Sequence, residues 1–419
     1  MKKLDDYISQ FYTDINGMEI KMGLDRVGFV KDLANIKPNF PIISVGGTNG
    51  KGSVCSFLET IYSKAGYRVG CYTSPHLFKF NERIKVDLKE IDDETILKSL
   101  DFIQANKKST ELTYFEVTTL AAMHIFIEKK IDVAILEVGL GGRLDAVNIF
   151  DSDLSIITSL GMDHQDFLGH SIDEIGYQKL GICRPNKNTI LNFENIPKSM
   201  INELNNLGSI LSIINDDYSY TINSEGYSYH SQKKSIKKLP MPYLKGNNQL
   251  LNIAGSLRAI NLLDKKLPVT LKSIKEGIRD TRLNGRIQIL SKEPYIIADV
   301  AHNEEATINL YDFFSTSKQS GKVFAIFSIL DNKDIEKVLK PFIGIIDEWF
   351  ISEIDNSRAQ KINIIISTLE KYNKKVIINK ADNLKEAYKN AYKKCSLNDN
   401  IIIYGSFFTV SETMNEVII

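Results

Sequence analysis

The sequence predicts an α/β protein of two domains, each built on a mainly parallel sheet. Short apolar runs alternate with longer helix-like stretches along most of the chain, which is the rhythm of strands joined by crossover helices. The length, 419 residues, exceeds what a single hydrophobic core normally supports. A glycine-rich segment also follows one apolar run and opens an amphipathic one, a strand–loop–helix context suited to phosphate binding.

In the first domain the predicted strands begin at Pro41-Ile-Ile-Ser-Val45, Arg68-Val-Gly-Cys-Tyr72, Val133-Ala-Ile-Leu-Glu-Val138 and Leu154-Ser-Ile-Ile-Thr158. From Tyr218 to His230 the texture changes. Tyrosines there alternate with small polar residues on either side of Asn223-Ser-Glu-Gly226, the pattern of a hairpin lying off the main sheet. A second α/β series carries strands at Tyr295-Ile-Ile-Ala-Asp-Val300, Val323-Phe-Ala-Ile-Phe327, Trp349-Phe-Ile-Ser352, Val376-Ile-Ile378 and Ile401-Ile-Ile-Tyr404. The glycine in Thr281-Arg-Leu-Asn-Gly-Arg286 marks the expected boundary, giving domains of 1–285 and 286–419.

Composition narrows the function. Lys plus Arg equals Asp plus Glu at 52 each, so the chain has no basic footprint, and nucleic acid and anionic membranes are disfavoured as partners. Cys55, Cys71, Cys183 and Cys395 are too dispersed for a metal knuckle and too few for a disulfide framework, so they are expected as reduced thiols. The opening Met-Lys-Lys-Leu-Asp-Asp-Tyr lacks the apolar core of a signal peptide, and no apolar run nears the roughly 18 residues that cross a bilayer. A cytoplasmic location is expected, and the second domain's lack of an exposed apolar signature favours a monomer.

The segment Gly46-Gly-Thr-Asn-Gly-Lys-Gly-Ser53 is the strongest signal. Its glycines let successive amides turn inward, the following helix adds its positive end, and Lys51 adds a full charge, as ATP phosphates require. The spacing departs from the common phosphate loop, because the first glycine is displaced and Gly52 separates Lys51 from Ser53.

That departure resembles the loop of the folylpolyglutamate synthase and dihydrofolate synthase family, relatives of the Mur cell-wall ligases. Thr73-Ser-Pro-His-Leu77, Asn81-Glu-Arg-Ile84, Tyr114-Phe-Glu-Val-Thr-Thr119, Leu136-Glu-Val-Gly-Leu-Gly-Gly-Arg-Leu-Asp145 and Asp163-His-Gln-Asp-Phe-Leu-Gly169 extend it. Gln178-Lys-Leu-Gly-Ile182, Gln249-Leu-Leu-Asn252, Gly285-Arg286, Asp299-Val-Ala-His-Asn303 and Gly405-Ser406 continue it in the same order. The resemblance implies a phosphate-loop first domain, a smaller Rossmann-like second domain and an ATP site in the cleft between them.

It also implies residue roles. Gly47, Thr48, Asn49, Gly50, Lys51, Gly52 and Ser53 would surround the phosphates, Gln249 and Asn252 the adenine and ribose end, and Arg286, Asp299 and His302 would approach the nucleotide from the second domain. Ser74, Glu137 and His164 would carry Mg2+, most naturally two ions. For Glu137 the residues agree, since an acid at the end of an apolar strand is costly unless it faces a ligand. His164 alone would pass for a hydrogen-bonded structural histidine, and nitrogen is an unusual Mg2+ partner. His76 and His170 read as structural, and His124 as a core candidate. Lys179 would be carbamylated, turning a cation into an oxygen ligand. Phe115, Arg143, Asp145 and Ala146 would form the pterin site, with Phe115 against the ring and Asp145 accepting from its amino and NH groups.

The implied reaction is ATP-dependent addition of L-glutamate to dihydropteroate and to reduced folates through an acyl phosphate, with Lys51, His164 and Lys179 in catalytic roles. A folylpolyglutamate synthase without the dihydropteroate activity remains open, because only Gly141-Gly-Arg-Leu-Asp-Ala146 carries the distinction. A Mur-type peptide ligase and a nucleotide-dependent switch module are the further readings.

Overall fold

A computed structural model describes residues 4, 6–8, 21–224, 226–232 and 234–417. Most of the opening Met-Lys-Lys-Leu-Asp-Asp-Tyr stretch, and Glu225 of the expected turn, lie outside the described residues. The chain divides into two compact units. The first runs to Tyr243 and resumes at Gln249–Arg282, and the second comprises Leu244–Asn248 and the chain from Leu283 onward.

The first unit holds an eight-stranded sheet: β1 (Ile42–Gly46), β2 (Val69–Tyr72), β3 (Ile84–Val86), β4 (Lys89–Glu90), β5 (Val133–Glu137), β6 (Leu154–Ile157), β7 (Asn188–Leu191) and β8 (Ile210–Ile213). Their spatial order is β4-β3-β2-β5-β1-β6-β7-β8, parallel from β2 through β8, with β3 and β4 antiparallel at one edge. Every residue of β1, β2, β5 and β6 is buried, as expected where helices cover both faces of a parallel sheet. Helices Asp93–Asn106 and Tyr114–Glu128 pack around Ile96, Leu100, Leu120 and Phe126 on one side.

The expected hairpin is a three-stranded antiparallel sheet, β9 (Tyr218–Asn223), β10 (Gly226–Ser231) and β11 (Ser235–Leu239), in the order β11-β10-β9. Tyr220 stacks on Tyr227 across it at 5.5 Å between ring centroids. The third strand escaped the sequence because Ser-Ile-Lys-Lys-Leu is short and charged. Strands β7 and β8 escaped because Asn188, Thr189 and Ser212 interrupt their apolar runs.

In the second unit six strands order as β12-β13-β17-β14-β15-β16: β12 (Gln288–Lys292), β13 (Tyr295–Ala298), β14 (Val323–Phe327), β15 (Glu348–Ile351), β16 (Ile377–Lys380) and β17 (Asn400–Tyr404). Only β12 is antiparallel. Phe327, Phe342, Trp349 and Tyr404 form an aromatic core on one face. Among the described residues no helix is long and apolar enough to cross a membrane, and all four cysteines are free thiols.

Candidate active site

Four neighbouring strands of the first unit, β2, β5, β1 and β6, end side by side, and each releases a loop carrying candidate residues. Loops at the carboxyl ends of parallel strands are where α/β sheets present ligand groups.

After β1 the glycine loop turns into helix Lys51–Lys64. Lys51 Nζ folds back onto the Gly47 and Thr48 carbonyls at 2.9 and 3.2 Å. The loop after β6 clamps it. Thr158 Oγ1 donates to the Asn49 carbonyl at 2.6 Å, Ser159 Oγ accepts from Asn49 N at 2.7 Å, and Thr48 Oγ1 is tied to both Gly161 N and Gly161 O. Gly47, at φ 144°, leaves no room for a Cβ, which would overlap Thr158 Oγ1. Gly50, at φ 83°, lies against the Asn252 side chain, which in turn donates to Gln249 Oε1 at 3.2 Å. Gln249 and Asn252, both buried, thus reach the loop through helix Asn248–Leu263. The clamping hydroxyls of Thr158 and Ser159 gave no sequence signal, since hydroxyl residues after a strand are commonplace.

Glu137 ends β5 as a buried carboxylate, and its Oε2 accepts from Ser74 N, just past β2, at 3.0 Å. The Ser74 loop is itself held by Glu82, whose carboxylate accepts from the Leu77, Phe78 and Lys79 amides. Among the described residues no three His, Cys, Asp or Glu side chains gather into a metal cage. The oxygen donors of Glu137 and Ser74 fit a hard divalent ion that completes its shell with phosphate and water. His164 follows β6 in a left-handed conformation, φ 53°, with its amide on Asp163 Oδ1 at 2.8 Å. Lys179 closes helix Ile172–Lys179, 3% exposed, and its carbonyl packs against Gly142.

Phe115 sits in the first turn of helix Tyr114–Glu128, which is fixed by a Thr113–Glu116 capping box, and its ring lies over Gly139 and 5.9 Å from the Tyr72 ring. Asp145 is buried. Its two oxygens accept from Val147 N at 2.9 Å and Leu140 N at 2.8 Å, and burial pushes its pKa up to about 6 against these bonds and the charge of Lys51. Two backbone donors leave lone pairs free on a carboxylate. Ala146 is buried beside it. Arg143 lies differently: its guanidinium stacks 3.8 Å from the Tyr177 ring centroid and approaches Glu203 at 3.5 Å.

Of the other histidines, His76 accepts from Arg83 Nε at Nδ1, 2.8 Å, and burial, helped by that guanidinium, pushes its pKa down to about 4. His124 is half-buried, stacked on Phe102 at 4.0 Å rather than enclosed in the core, and His170 is exposed.

In the second unit Asp299 follows β13. Its carboxylate accepts from Ile287 N and Ala301 N, both at 2.7 Å, and burial raises its pKa against the nearby Arg286 charge. Arg286 lies over the Phe407 ring at 5.0 Å, and His302 Nδ1 meets the Val300 carbonyl at 2.8 Å. Phe407, opening the helix after β17, was not singled out from sequence because an aromatic at a helix start usually packs.

Two family models match the chain, the Mur ligase middle domain over residues 45–263 and the Mur ligase glutamate ligase domain over 285–407. The Haemophilus influenzae dihydrofolate synthase/folylpolyglutamate synthase is 34% identical over 412 residues, covering 94% of this chain and 93% of that protein. The solved structure of Escherichia coli FolC with DHPP and ADP superposes with a TM-score of 0.92 at 32% identity, over 99% of this chain and 97% of that one. A bifunctional folylpolyglutamate synthase/dihydrofolate synthase with Mn, AMPPNP and L-glutamate bound gives 0.91 at 32%, over 100% and 99%. With the glycine loop, the buried Glu137 and the second α/β unit all in family order, the chain belongs to the dihydrofolate synthase/folylpolyglutamate synthase family of Mur-type ligases and is an ATP-dependent ligase of folate metabolism.

Proposed function

We propose that this chain joins L-glutamate both to dihydropteroate and to tetrahydrofolate, the latter through its γ-carboxylate, with ADP and phosphate as products. The supporting observation is the row of loops after β2, β5, β1 and β6, which sets the Lys51 loop, Glu137 and the Ser74 amide beside one another.

A carboxylate does not react with amines at neutral pH, so it must first become a mixed anhydride. In this reading the glycine loop holds the ATP phosphates, and the substrate carboxylate attacks the γ-phosphorus as ADP departs. Lys51 and Arg286 meet the charge that develops on the transferring group. Ser74, Glu137, His164 and a carbamylated Lys179 would hold two Mg2+ ions, which neutralise phosphate charge. The glutamate amine then attacks the acyl carbon, releasing phosphate and leaving an amide. Phe115 and Asp145 orient the pterin, and Asp145 keeps acceptor capacity for it after serving Leu140 and Val147.

Offering dihydropteroate and tetrahydrofolate separately with labelled glutamate, and weighing the products, tests both activities. Product from tetrahydrofolate alone reduces the reading to a folylpolyglutamate synthase, and carboxylate oxygen-18 recovered in AMP overturns the acyl-phosphate route. For Lys179, the enclosure at the helix end supports the carbamate, since a bare ammonium beside a divalent ion would be repelled. Lys179→Ala should be nearly inactive and partly restored by acetate or formate. Full activity of that variant in carbon-dioxide-free buffer without carboxylate removes the modification from the mechanism.

A further inference from the structure

Arg83 is a buried cation to which the reaction above gives no task. It ends the short 3-10 turn Phe80–Arg83 and is 7% exposed. Its guanidinium carbon lies 5.5 Å from the Tyr114 ring centroid and 5.9 Å from that of Phe80. Nε donates to His76 Nδ1 at 2.8 Å, the one hydrogen bond its side chain makes among the described residues, and no carboxylate there comes within ion-pair distance of it. A guanidinium withdrawn from water with rings and a neutral imidazole for company is costly to bury unless an anion completes the site.

The imidazole adds a donor. An arginine Nε can only donate, so His76 Nδ1 accepts, and a neutral ring then carries its proton on Nε2. The two terminal guanidinium nitrogens and His76 Nε2–H are the donor set that a carboxylate needs.

Its location identifies which carboxylate. The Arg83 carbonyl accepts from Thr73 N at 2.9 Å, one residue before Ser74, whose amide bonds to Glu137. On the other side Arg83 faces Tyr114, next to Phe115, and its charge reaches Tyr72, whose ring neighbours Phe115 at 5.9 Å. Arg83 thus stands between the group assigned to carboxylate activation and the group assigned to the pterin. In a folate, the glutamyl residue lies between the pteroyl group and the reacting γ-carboxylate and bears a second, unreactive α-carboxylate. Dihydropteroate has none, because its one carboxylate is the reacting one.

We propose that Arg83, with His76 Nε2–H beside it, holds the spectator α-carboxylate of a folyl substrate and so favours substrates that already carry a glutamyl residue. This rests on the function proposed above. Arg83 would be a specificity residue that touches substrate without entering the chemistry.

The test compares tetrahydrofolate, its α-carboxamide with the γ-carboxylate free, and dihydropteroate on wild type and on Arg83→Met. In wild type the carboxamide should lose roughly 10- to 100-fold in kcat/KM, the worth of a charge-assisted contact. Arg83→Met should bring tetrahydrofolate down to the carboxamide's level, leave the carboxamide there, and change dihydropteroate by less than about threefold. Equal use of the carboxamide and tetrahydrofolate by wild type overturns the assignment, and that arm needs no variant to fold. A rise in KM for L-glutamate with both acceptors also overturns it, since Arg83 would then serve the incoming amino acid. If wild type ligates neither acceptor, the proposed function fails. The assignment is then decided by direct binding of tetrahydrofolate and its α-carboxamide to wild type, where equal Kd values refute it.

Discussion

The glycine loop after β1 and the Asp299 loop after β13 solve the same problem with different chemistry. Each is an irregular segment at the carboxyl end of a buried parallel strand, and each must satisfy backbone groups that would otherwise be orphaned. In the first unit the clamps are neutral: the hydroxyls of Thr48, Thr158 and Ser159 bind backbone groups of the loop and its neighbour. In the second the clamp is a carboxylate, Asp299, holding Ile287 N and Ala301 N. A neutral clamp leaves Lys51 to set the sign of the glycine loop's field, which suits an anion. A charged clamp needs a counter-charge, which Arg286 provides. The first site should therefore lose function without losing stability when its cation is removed, whereas the second should lose both when its anion is removed.

The largest effect expected is from Lys51→Ala. Removing a donor aimed at charge that develops in the transition state costs roughly 10²- to 10³-fold in kcat. Because the hydroxyls of Thr158 and Ser159 hold the same loop at Asn49 independently of the Lys51 contacts to the Gly47 and Thr48 carbonyls, Tm should hardly move. Turnover within a few-fold of wild type at saturating ATP would remove Lys51 from the chemistry.

Asp299→Ala comes next. Two buried amides lose their acceptor, and each such loss is worth about 1–3 kcal/mol. With two units the unfolding transition need not be two-state, so the informative readout is hydrogen exchange at the Ile287 and Ala301 amides. Faster exchange there, with first-unit amides unchanged, is expected. Unchanged protection at both would show that the carboxylate is no clamp.

These contrasts also explain what the sequence made legible. The glycine loop could be read because its whole chemistry is contiguous, from Gly46 to Ser53, and flanked by a strand and a helix. Glu137 stood out as an acid ending an apolar run. Arg286 and Asp299 had no such local signature, and only their order within a family pattern singled them out. Thr158, Ser159 and Phe407 carried no signal, and Arg83 was legible only within Asn81-Glu-Arg-Ile84 and without a role, because their meaning lies in which loop they face, a property of strand order that local residue pattern does not carry. The strands followed the same rule: fully buried β1, β5 and β14 announced themselves, while β7, β8 and the antiparallel edge strand β12 mix polar residues into short runs.

A smaller effect separates the two carboxylates Asp145 and Asp299 from the hydroxyl clamps, because only carboxylates titrate. The folded pKa of Asp145, about 6, stands above the usual aspartate value of 3.8 through burial. Below the unfolded value the proton is bound in both states. As pH rises from about 4 through 6 the unfolded chain ionises first, so the folded state progressively loses stability, by up to about 1.4 kcal/mol per unit of displacement. Asp145→Asn does not titrate, and its misplaced amide group is a constant penalty. The stability of wild type relative to Asp145→Asn should therefore fall between pH 4 and pH 7, as urea unfolding at several pH values would show. A difference that stays flat with pH would mean Asp145 ionises normally in the folded protein.

The smallest effect tests how tightly the glycine loop is fitted against helix Asn248–Leu263. At Gly50 the backbone has φ 83°, which costs a residue with a Cβ about 1–2 kcal/mol, and that Cβ would stand 2.7 Å from Asn252 Oδ1. Gly50→Ala should thus combine conformational strain with a steric push on Asn252, lowering Tm by a few degrees and raising KM for ATP. The two parts separate in a double-variant cycle. Asn252→Ala opens the space but cannot relieve φ, so the double variant should recover the steric share of the stability loss and keep the conformational share. Strict additivity of the two substitutions would mean that Asn252 does not touch the loop, and the contact that joins Gln249 and Asn252 to the glycine loop would have to be abandoned.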